Sequence, residues 1–142
     1  MTAEFATHLS GFVQRGLGGD GTIEELKRLS GGANMESWSF DYGGLGYVLR
    51  FSPSAEMMAG RAYGHDVEAA VVRAAFASGV KAPEIVAEII PVDGLRTGYL
   101  MRRIDAEVNP SKILAAPPAS LLADLARELA TIHNVPRDIL PA

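Results

Sequence analysis

The sequence contains no cysteine among its 142 residues, which excludes disulfide bridges, thiolate nucleophiles and thiolate metal sites. Basic residues are scarce, since 13 Lys and Arg stand against 17 Asp and Glu, for a formal net charge of -4. Because nucleic-acid binding depends on cationic neutralisation of phosphates, this balance disfavours such a partner. The chain also lacks an apolar run near the ~18 residues of a membrane span, and it has no secretory signal pattern at its N-terminus. These absences predict a cytoplasmic protein with no nucleic-acid and no membrane partner.

What is present fits an ordinary globular domain, with 48% hydrophobic and 21% charged residues. Hydrophobic residues recur every three or four positions in three segments and every second position in others, which predicts an α+β fold on an antiparallel sheet. Between residues 23 and 29 the pattern fits a short helix and a strand equally well. The predicted helices cover residues 2–15, 61–78 and 119–133, and the predicted strands cover residues 35–42, 45–51, 84–90 and 95–104.

A first glycine cluster, Gly16-Leu17-Gly18-Gly19-Asp20-Gly21, matches the dinucleotide fingerprint G-x-G-x-x-G. An NAD(P)-dependent oxidoreductase built on this cluster is therefore an alternative function. The context argues against it, because a Rossmann fingerprint needs a buried apolar strand before it and a full helix after it. The segment reads more simply as a flexible surface linker after the first helix.

A second glycine cluster, Ser30-Gly31-Gly32-Ala33-Asn34, precedes a predicted two-stranded ribbon. Backbone N–H groups of such a loop can lie over phosphates, because glycine permits close approach. On the return strand Val48 and Arg50 are two positions apart and face the same side of the sheet. Glu68, in the helix that follows, is placed to pair with Arg50. A plain hairpin turn, an edge-strand arginine and a solvated carboxylate remain the simpler readings of these three features.

Several sequence strings, taken in order, resemble the N-terminal lobe of the aminoglycoside phosphotransferases, small-molecule kinases related to the protein kinases. The resemblance covers about residues 23–133. The matching strings are Leu29-Ser30-Gly31-Gly32-Ala33-Asn34, Trp38-Ser39-Phe40, Tyr47-Val48-Leu49-Arg50-Phe51-Ser52-Pro53, Asp66-Val67-Glu68, Gly79-Val80-Lys81-Ala82-Pro83-Glu84-Ile85, Tyr99-Leu100-Met101 and Leu125-Ala126-Arg127-Glu128-Leu129-Ala130-Thr131-Ile132-His133.

The resemblance implies a fold: a five-stranded antiparallel sheet with an αC-type helix, followed by one helix from the start of the C-terminal lobe. It makes residues 23–29 a strand. It divides the chain into an N-terminal helix and glycine-rich linker at 1–22, a kinase-like lobe at 23–104, and a hinge connector with the first C-lobe helix at 105–142.

The resemblance also implies a site for ATP or GTP with Mg²⁺. Residues 30–34 would cover the phosphates, Val48 would pack on the base, and Arg50 would take the place of the kinase β3 lysine, with Glu68 as its partner. Met101 would be the gatekeeper, and the backbone of Arg102 and Ile104 would meet the base at the hinge. The family often has Glu after this Met, so the Arg102 side chain is a departure.

The catalytic motif of the family, His-Gly-Asp followed by Asn, is not found in the sequence. Gly64-His65-Asp66 resembles it superficially, but position 71 is Val and the string precedes Glu68, so it is expected to be the first turn of a helix. No catalytic residue is therefore expected, and the chain is expected to be an inactive truncated form or gene fragment. His8 and His133 lack companions at metal-ligand spacing.

The implied partners are a nucleotide and a small-molecule acceptor, the latter read mainly by the absent lobe. A non-catalytic interaction domain is the remaining alternative. The last predicted helix carries an apolar stripe that is expected to fold back on the sheet or to pair with a second copy in a homodimer, because burying such side chains is worth ~1.5–3 kcal/mol each. The stripe comprises Leu121, Leu122, Leu125, Leu129 and Ile132.

Overall fold

A five-stranded antiparallel sheet with strand order β1-β2-β3-β5-β4 forms the centre of the computed structural model, which describes residues 2–30 and 35–139. This is the five-stranded sheet that the resemblance implies, and residues 23–29 do contain a strand. The strands are β1 (Glu24–Arg28), β2 (Glu36–Tyr42), β3 (Leu45–Phe51), β4 (Ile85–Glu88) and β5 (Gly98–Arg102). The helices are α1 (Ala3–Leu17), α2 (Ala55–Ala59), α3 (His65–Ala77), α4 (Pro110–Ala115) and α5 (Leu121–His133), with 3-10 turns at Pro91–Asp93 and Arg137–Ile139.

The β2–β3 hairpin sets the register of the sheet. Its turn is made by Gly43 and Gly44, with φ angles of 59° and 75° that L-residues rarely adopt. Ser37 then lies opposite Arg50, and Ser39 lies opposite Val48. Because β3 is the central strand, Arg50 is not an edge-strand residue, and that simpler reading of it is wrong.

Helix α1 covers one face of the sheet, where Leu9, Phe12 and Val13 are fully buried against the strands. The helix packs so tightly on β4 that a Cβ atom at Gly16 would lie 2.6 Å from the Cβ of Ala87. Gly16 thus belongs to a helix, and the next element is the strand β1. A Rossmann fingerprint needs the opposite order of elements, so the dinucleotide alternative is wrong. The interpretation of the cluster as a flexible surface linker is also wrong at Gly16, because this residue is helical and packs against Ala87.

Helix α3 covers the other face, but only over its β4–β5 side, where Ala69 packs against Ile85 and Tyr99. His65 is the first residue of this helix, as the interpretation of residues 64–66 as a helical turn predicts. The rest of this face, towards β1 and β2, is left open by α3. An open sheet face beside a covering helix is where a cleft can form.

The C-terminal segment touches the rest of the chain where Glu128 of α5 accepts a hydrogen bond from the backbone N–H of Lys81. Its apolar stripe remains exposed, with Leu122 81% and Leu125 57% accessible. The expectation that the stripe folds back on the sheet is therefore wrong. No helix among the described residues has both the length and the apolar character needed to cross a bilayer.

Candidate functional site

A cleft of about 780 Å³ lies on the open sheet face, between the β1–β2 ribbon and the segment that follows β5. Antiparallel partners project to the same side of a sheet, so register explains which strand residues meet there. The lining residues include Lys27, Ser37, Ser39, Asp41, Val48, Met101, Arg102, Arg103, Ile104 and Asp105.

Val48 and Met101 form an apolar surface within this cleft. They lie opposite each other on β3 and β5, and Ile85 of β4 is the other partner of Met101. Val48 is only 9% exposed, because the sheet and neighbouring side chains surround it. A flat apolar ring could pack on this pair, in which the family resemblance makes Val48 the residue that contacts the base and Met101 the gatekeeper.

The segment after β5 presents backbone groups at the edge of the cleft. The N–H of Arg102 donates to the carbonyl of Glu84 at 2.9 Å, and the N–H of Arg103 donates to the carbonyl of Gly46 at 2.9 Å. Within the described residues, the N–H of Ile104 has no such acceptor. The side chain of Arg102 makes a cation–π contact, because its guanidinium lies 4.8 Å from the centre of the Tyr47 ring.

Arg103 is a cleft residue that the sequence analysis missed. Its guanidinium donates to Asp41 at 2.7 Å and to Asp105 at 2.9 Å, and these bonds raise its pKa further. The side chain crosses β3 at Gly46, where a Cβ atom would lie 2.6 Å from it. Gly46 inside an otherwise β-forming run was the available signal, since glycine in a strand often marks a close approach.

Arg50 and Glu68 form an ion pair on the same face of the sheet. Arg50 Nε donates to Glu68 Oε1 at 3.1 Å, and Nη2 lies 3.0 Å from the same oxygen. Each side chain is 28% exposed, so the pair is reachable from solvent. Glu68 lies in the first turn of α3, where the helix dipole favours a carboxylate. The pairing predicted from the sequence is therefore present.

Tyr99 lies beside Arg50 as its register partner and His65 contacts the Tyr99 ring, and neither residue was expected near the site. Burial raises the pKa of Tyr99 to about 12, and the Glu68 carboxylate adds to the rise, so the phenol stays protonated. Burial likewise lowers the pKa of His65, which is 4% exposed. Both groups are therefore neutral near pH 7, so the imidazole and the phenol next to the Arg50–Glu68 pair carry no charge.

The predicted phosphate loop falls largely outside the described residues, which exclude Gly31, Gly32, Ala33 and Asn34. Ser30 is described and exposed, and it follows a backbone hydrogen bond of 2.8 Å from Leu29 N–H to the Ser37 carbonyl. Because Ser37 lies opposite Arg50, the strand ends that carry this loop are adjacent to Arg50.

The site contains no evident metal centre in the part of the chain that is described. Residues 2–30 and 35–139 hold no group of three His, Asp or Glu side chains arranged to bind a metal ion. The cation and backbone donors of the cleft can neutralise and orient an anion, but they supply no divalent-ion ligand set.

Several solved structures resemble this chain, among them the three that follow, each with a TM-score above one half. One is of a protein assigned to the aminoglycoside phosphotransferases from Ralstonia eutropha JMP134, with TM-score 0.69 and 20% identity over 92% of this chain and 38% of its own. Two are of thermostable mutants of aminoglycoside phosphotransferase APH(4)-Ia, each with TM-score 0.60 and 25% identity over 92% of this chain and 40% of its own. One mutant was crystallised with AMP-PNP and hygromycin B, and the other with ADP and hygromycin B.

This chain spans about two fifths of the length of those structures. None of the curated proteins matches it. A family model described as the phosphotransferase enzyme family matches residues 25–142, most of the chain. With the sheet, helix α3 and the Arg50–Glu68 pair in place, the chain belongs to the phosphotransferase enzyme family.

Proposed function

We propose that this chain is the nucleotide-binding lobe of a small-molecule phosphotransferase that uses ATP or GTP with Mg²⁺. The observation that carries the proposal is the Arg50–Glu68 pair, 3.0 Å apart, on the sheet face that also carries the cleft. In kinases a cation paired with a helix carboxylate meets the phosphates of the nucleotide. The AMP-PNP and ADP complexes of APH(4)-Ia support a nucleotide in this fold.

The residues fit a nucleotide in three parts. Val48 and Met101 supply an apolar surface for the base, and the N–H of Ile104 supplies a donor at its edge. Arg50 supplies the cation for the phosphates, held by Glu68. Arg has a planar fork where Lys has a point charge, so phosphate contacts here are expected to be bidentate.

Residues 30–34 complete the proposed site as its phosphate-covering loop. Of these, only Ser30 lies in the described part of the chain. A glycine-rich loop provides backbone N–H donors that reach phosphate oxygens.

We propose that the Mg²⁺ ligands and the catalytic Asp come from a C-terminal lobe, as the family resemblance implies. With both in place, the γ-phosphoryl group would pass to a hydroxyl of a small-molecule acceptor, and this lobe would contribute the positioning of the donor. Alone, the chain is expected to bind nucleotide without catalysing transfer.

The test is titration of the 142-residue chain with ATP–Mg²⁺, GTP–Mg²⁺ and NAD, in which binding is measured by calorimetry or by changes in amide chemical shifts. Saturable binding of ATP or GTP is expected, and Arg50→Ala should weaken it about tenfold or more, because a hydrogen-bonded charge contact contributes about 1.5–3 kcal/mol. Arg73→Ala is the matched control, since Arg73 also pairs with a carboxylate, Glu88, but that pair joins α3 to the edge strand β4 and not to the central strand β3.

Two results would overturn the proposal. One is equal affinity for ATP–Mg²⁺ in Arg50→Ala and the parent chain. The other is no binding of either nucleotide at millimolar concentration, which would leave the interaction-domain alternative.

A further inference from the structure

His65 occupies a buried position at the start of α3. Its Nδ1 lies 3.2 Å from the Thr97 hydroxyl, and its ring meets that of Tyr99 edge-on, with centroids 6.1 Å apart and planes at 70°. Its Nε2 is buried and has no partner among the described residues. A buried imidazole with one free nitrogen is sensitive to protonation, because the charged form gains no compensating bond there.

Two routes connect His65 to the Arg50–Glu68 pair. Along the helix, Glu68 lies three positions after His65, so both side chains project from the same face of α3. Across the sheet, Tyr99 is the register partner of Arg50, so the ring that His65 contacts lies beside the arginine. His65 is therefore linked to Glu68 through the first turn of α3 and to Arg50 through the Tyr99 ring.

We propose that His65 is a positioning residue for the Arg50–Glu68 pair, acting through Tyr99 and the first turn of α3. Its ring fixes the distance between the helix and β5, and so the distance between the two charges. The inference rests on the proposed function, since the pair affects a nucleotide only where one binds.

The charges around His65 make its neutral form the one that supports the pair. Glu68 and Asp66 of α3 favour the imidazolium, while Arg50 of β3 and Arg61 before α3 oppose it, and burial opposes it most strongly. Tyr99 of β5 remains a neutral phenol. Because the pKa of His65 is lowered in the folded chain, acidification forces a cation into this space, where it attracts Glu68 and repels Arg50.

The first experiment needs no ligand. The Nε–Hε resonance of Arg50 is followed by NMR between about pH 7.5 and pH 5, spanning the ordinary imidazole value of about 6.5 and lower values. In the parent chain this resonance should move with the ring signals of His65, at a midpoint below 6.5. In His65→Phe, which keeps an aromatic ring beside Tyr99, the movement should vanish, and in His133→Asn it should persist.

The second experiment measures the Kd for ATP–Mg²⁺ over the same pH range. The Kd of the parent chain should rise about fivefold as His65 is protonated. A factor of about five is at the low end of the coupling usually found between two sites. The Kd of His65→Phe should lack this step. His65→Asn keeps a polar group near Thr97 but does not titrate, so its Kd should also lack the pH step. This variant replaces His65→Phe in the experiment if His65→Phe does not fold.

The two proposals fail in different ways. An Arg50 resonance that follows His65 in a chain that binds no nucleotide would overturn the proposed function and leave the positioning role standing. An Arg50 resonance that ignores His65, or a pH step that survives in both His65 variants, would overturn the positioning role. Affinity that rises on acidification would do so as well.

Discussion

The Asp93 carboxylate joins helix α1 to the 3-10 turn that follows β4. It accepts hydrogen bonds from Arg15 Nε at 2.7 Å and Nη2 at 2.6 Å, and a third from the backbone N–H of Ile90 at 2.8 Å. These contacts lower the pKa of Asp93, with the Arg15 hydrogen bond as the largest cause. The Asp93 side chain is 3% exposed while that of Arg15 is 37% exposed, so solvent screens the arginine end only.

Asp93→Asn should lower the free energy of unfolding at pH 7 by about 1 kcal/mol, because a neutral amide replaces charge-assisted bonds. The contribution of the carboxylate is fully present above its ordinary pKa of 3.8 and is lost as the pH falls through its lower value in the folded chain. The difference between variant and parent should therefore shrink in acid. Urea unfolding across a pH series measures it.

Asp124→Asn provides the control for this prediction. Asp124 also pairs with an arginine, Arg127, but the pair is exposed on α5. Its replacement should leave stability unchanged within error, since exposed pairs contribute little. Equal effects of the two substitutions, or a difference at Asp93 that grows in acid, would contradict the account.

At the scale of the secondary-structure elements, helix α1 contains two glycines, Gly11 and Gly16, whose surroundings differ. A Cβ atom added at Gly11 would meet nothing within 4 Å, whereas the same atom at Gly16 would lie 2.6 Å from Ala87 Cβ. Alanine is the better helix former by about 1 kcal/mol, so Gly11→Ala should stabilise the chain by up to that amount. Gly16→Ala should instead destabilise it by about 1 kcal/mol or more, because α1 must move away from β4.

Thermal unfolding of the two variants, followed by circular dichroism, tests this difference in sign. Neither substitution loses helix propensity, so a loss of stability in Gly16→Ala reports the contact between α1 and β4. Stabilisation by both substitutions would mean that α1 does not pack closely on β4.

The sequence patterns predict long elements well and short elements poorly. Strands β2 and β3 follow from the alternation around Gly43-Gly44, whereas α2, with five residues, and α4, with six, were missed because they are too short for a helical period to show. The strand β1 was ambiguous by pattern, and only the family resemblance resolved it.

The candidate site divides in the same way. The pairing of Arg50 with Glu68 was suggested by strand alternation and helix position, and the family resemblance then assigned both residues to the site. Tyr99, His65, Asp41 and Arg103 were missed as site residues because their contacts join positions far apart in the chain. Local spacing carries no signal for an Arg103–Asp41 bond across 62 residues.

At the scale of the whole molecule, the apolar stripe on α5 is a hydrophobic surface that the fold leaves exposed to solvent. Its exposed members are hydrophobic and lie at helical spacing, so they form one continuous face. They are Leu122, Leu125, Leu129 and Ile132, between 48% and 81% exposed. Since the sheet does not cover this face, the homodimer remains the predicted arrangement for this chain.

Sedimentation velocity over a range of concentrations should then show a monomer–dimer equilibrium. The joint substitution Leu125→Ser and Leu129→Ser should shift it to monomer, because each buried leucine contributes about 1.5–3 kcal/mol. Arg127→Ser, on the same helix but outside the stripe, should leave the dimer intact. A chain that stays monomeric at every concentration, with these leucines open to solvent labelling, would refute the dimer. Nucleotide affinity should not change with the dimer, since α5 contributes no residue to the cleft.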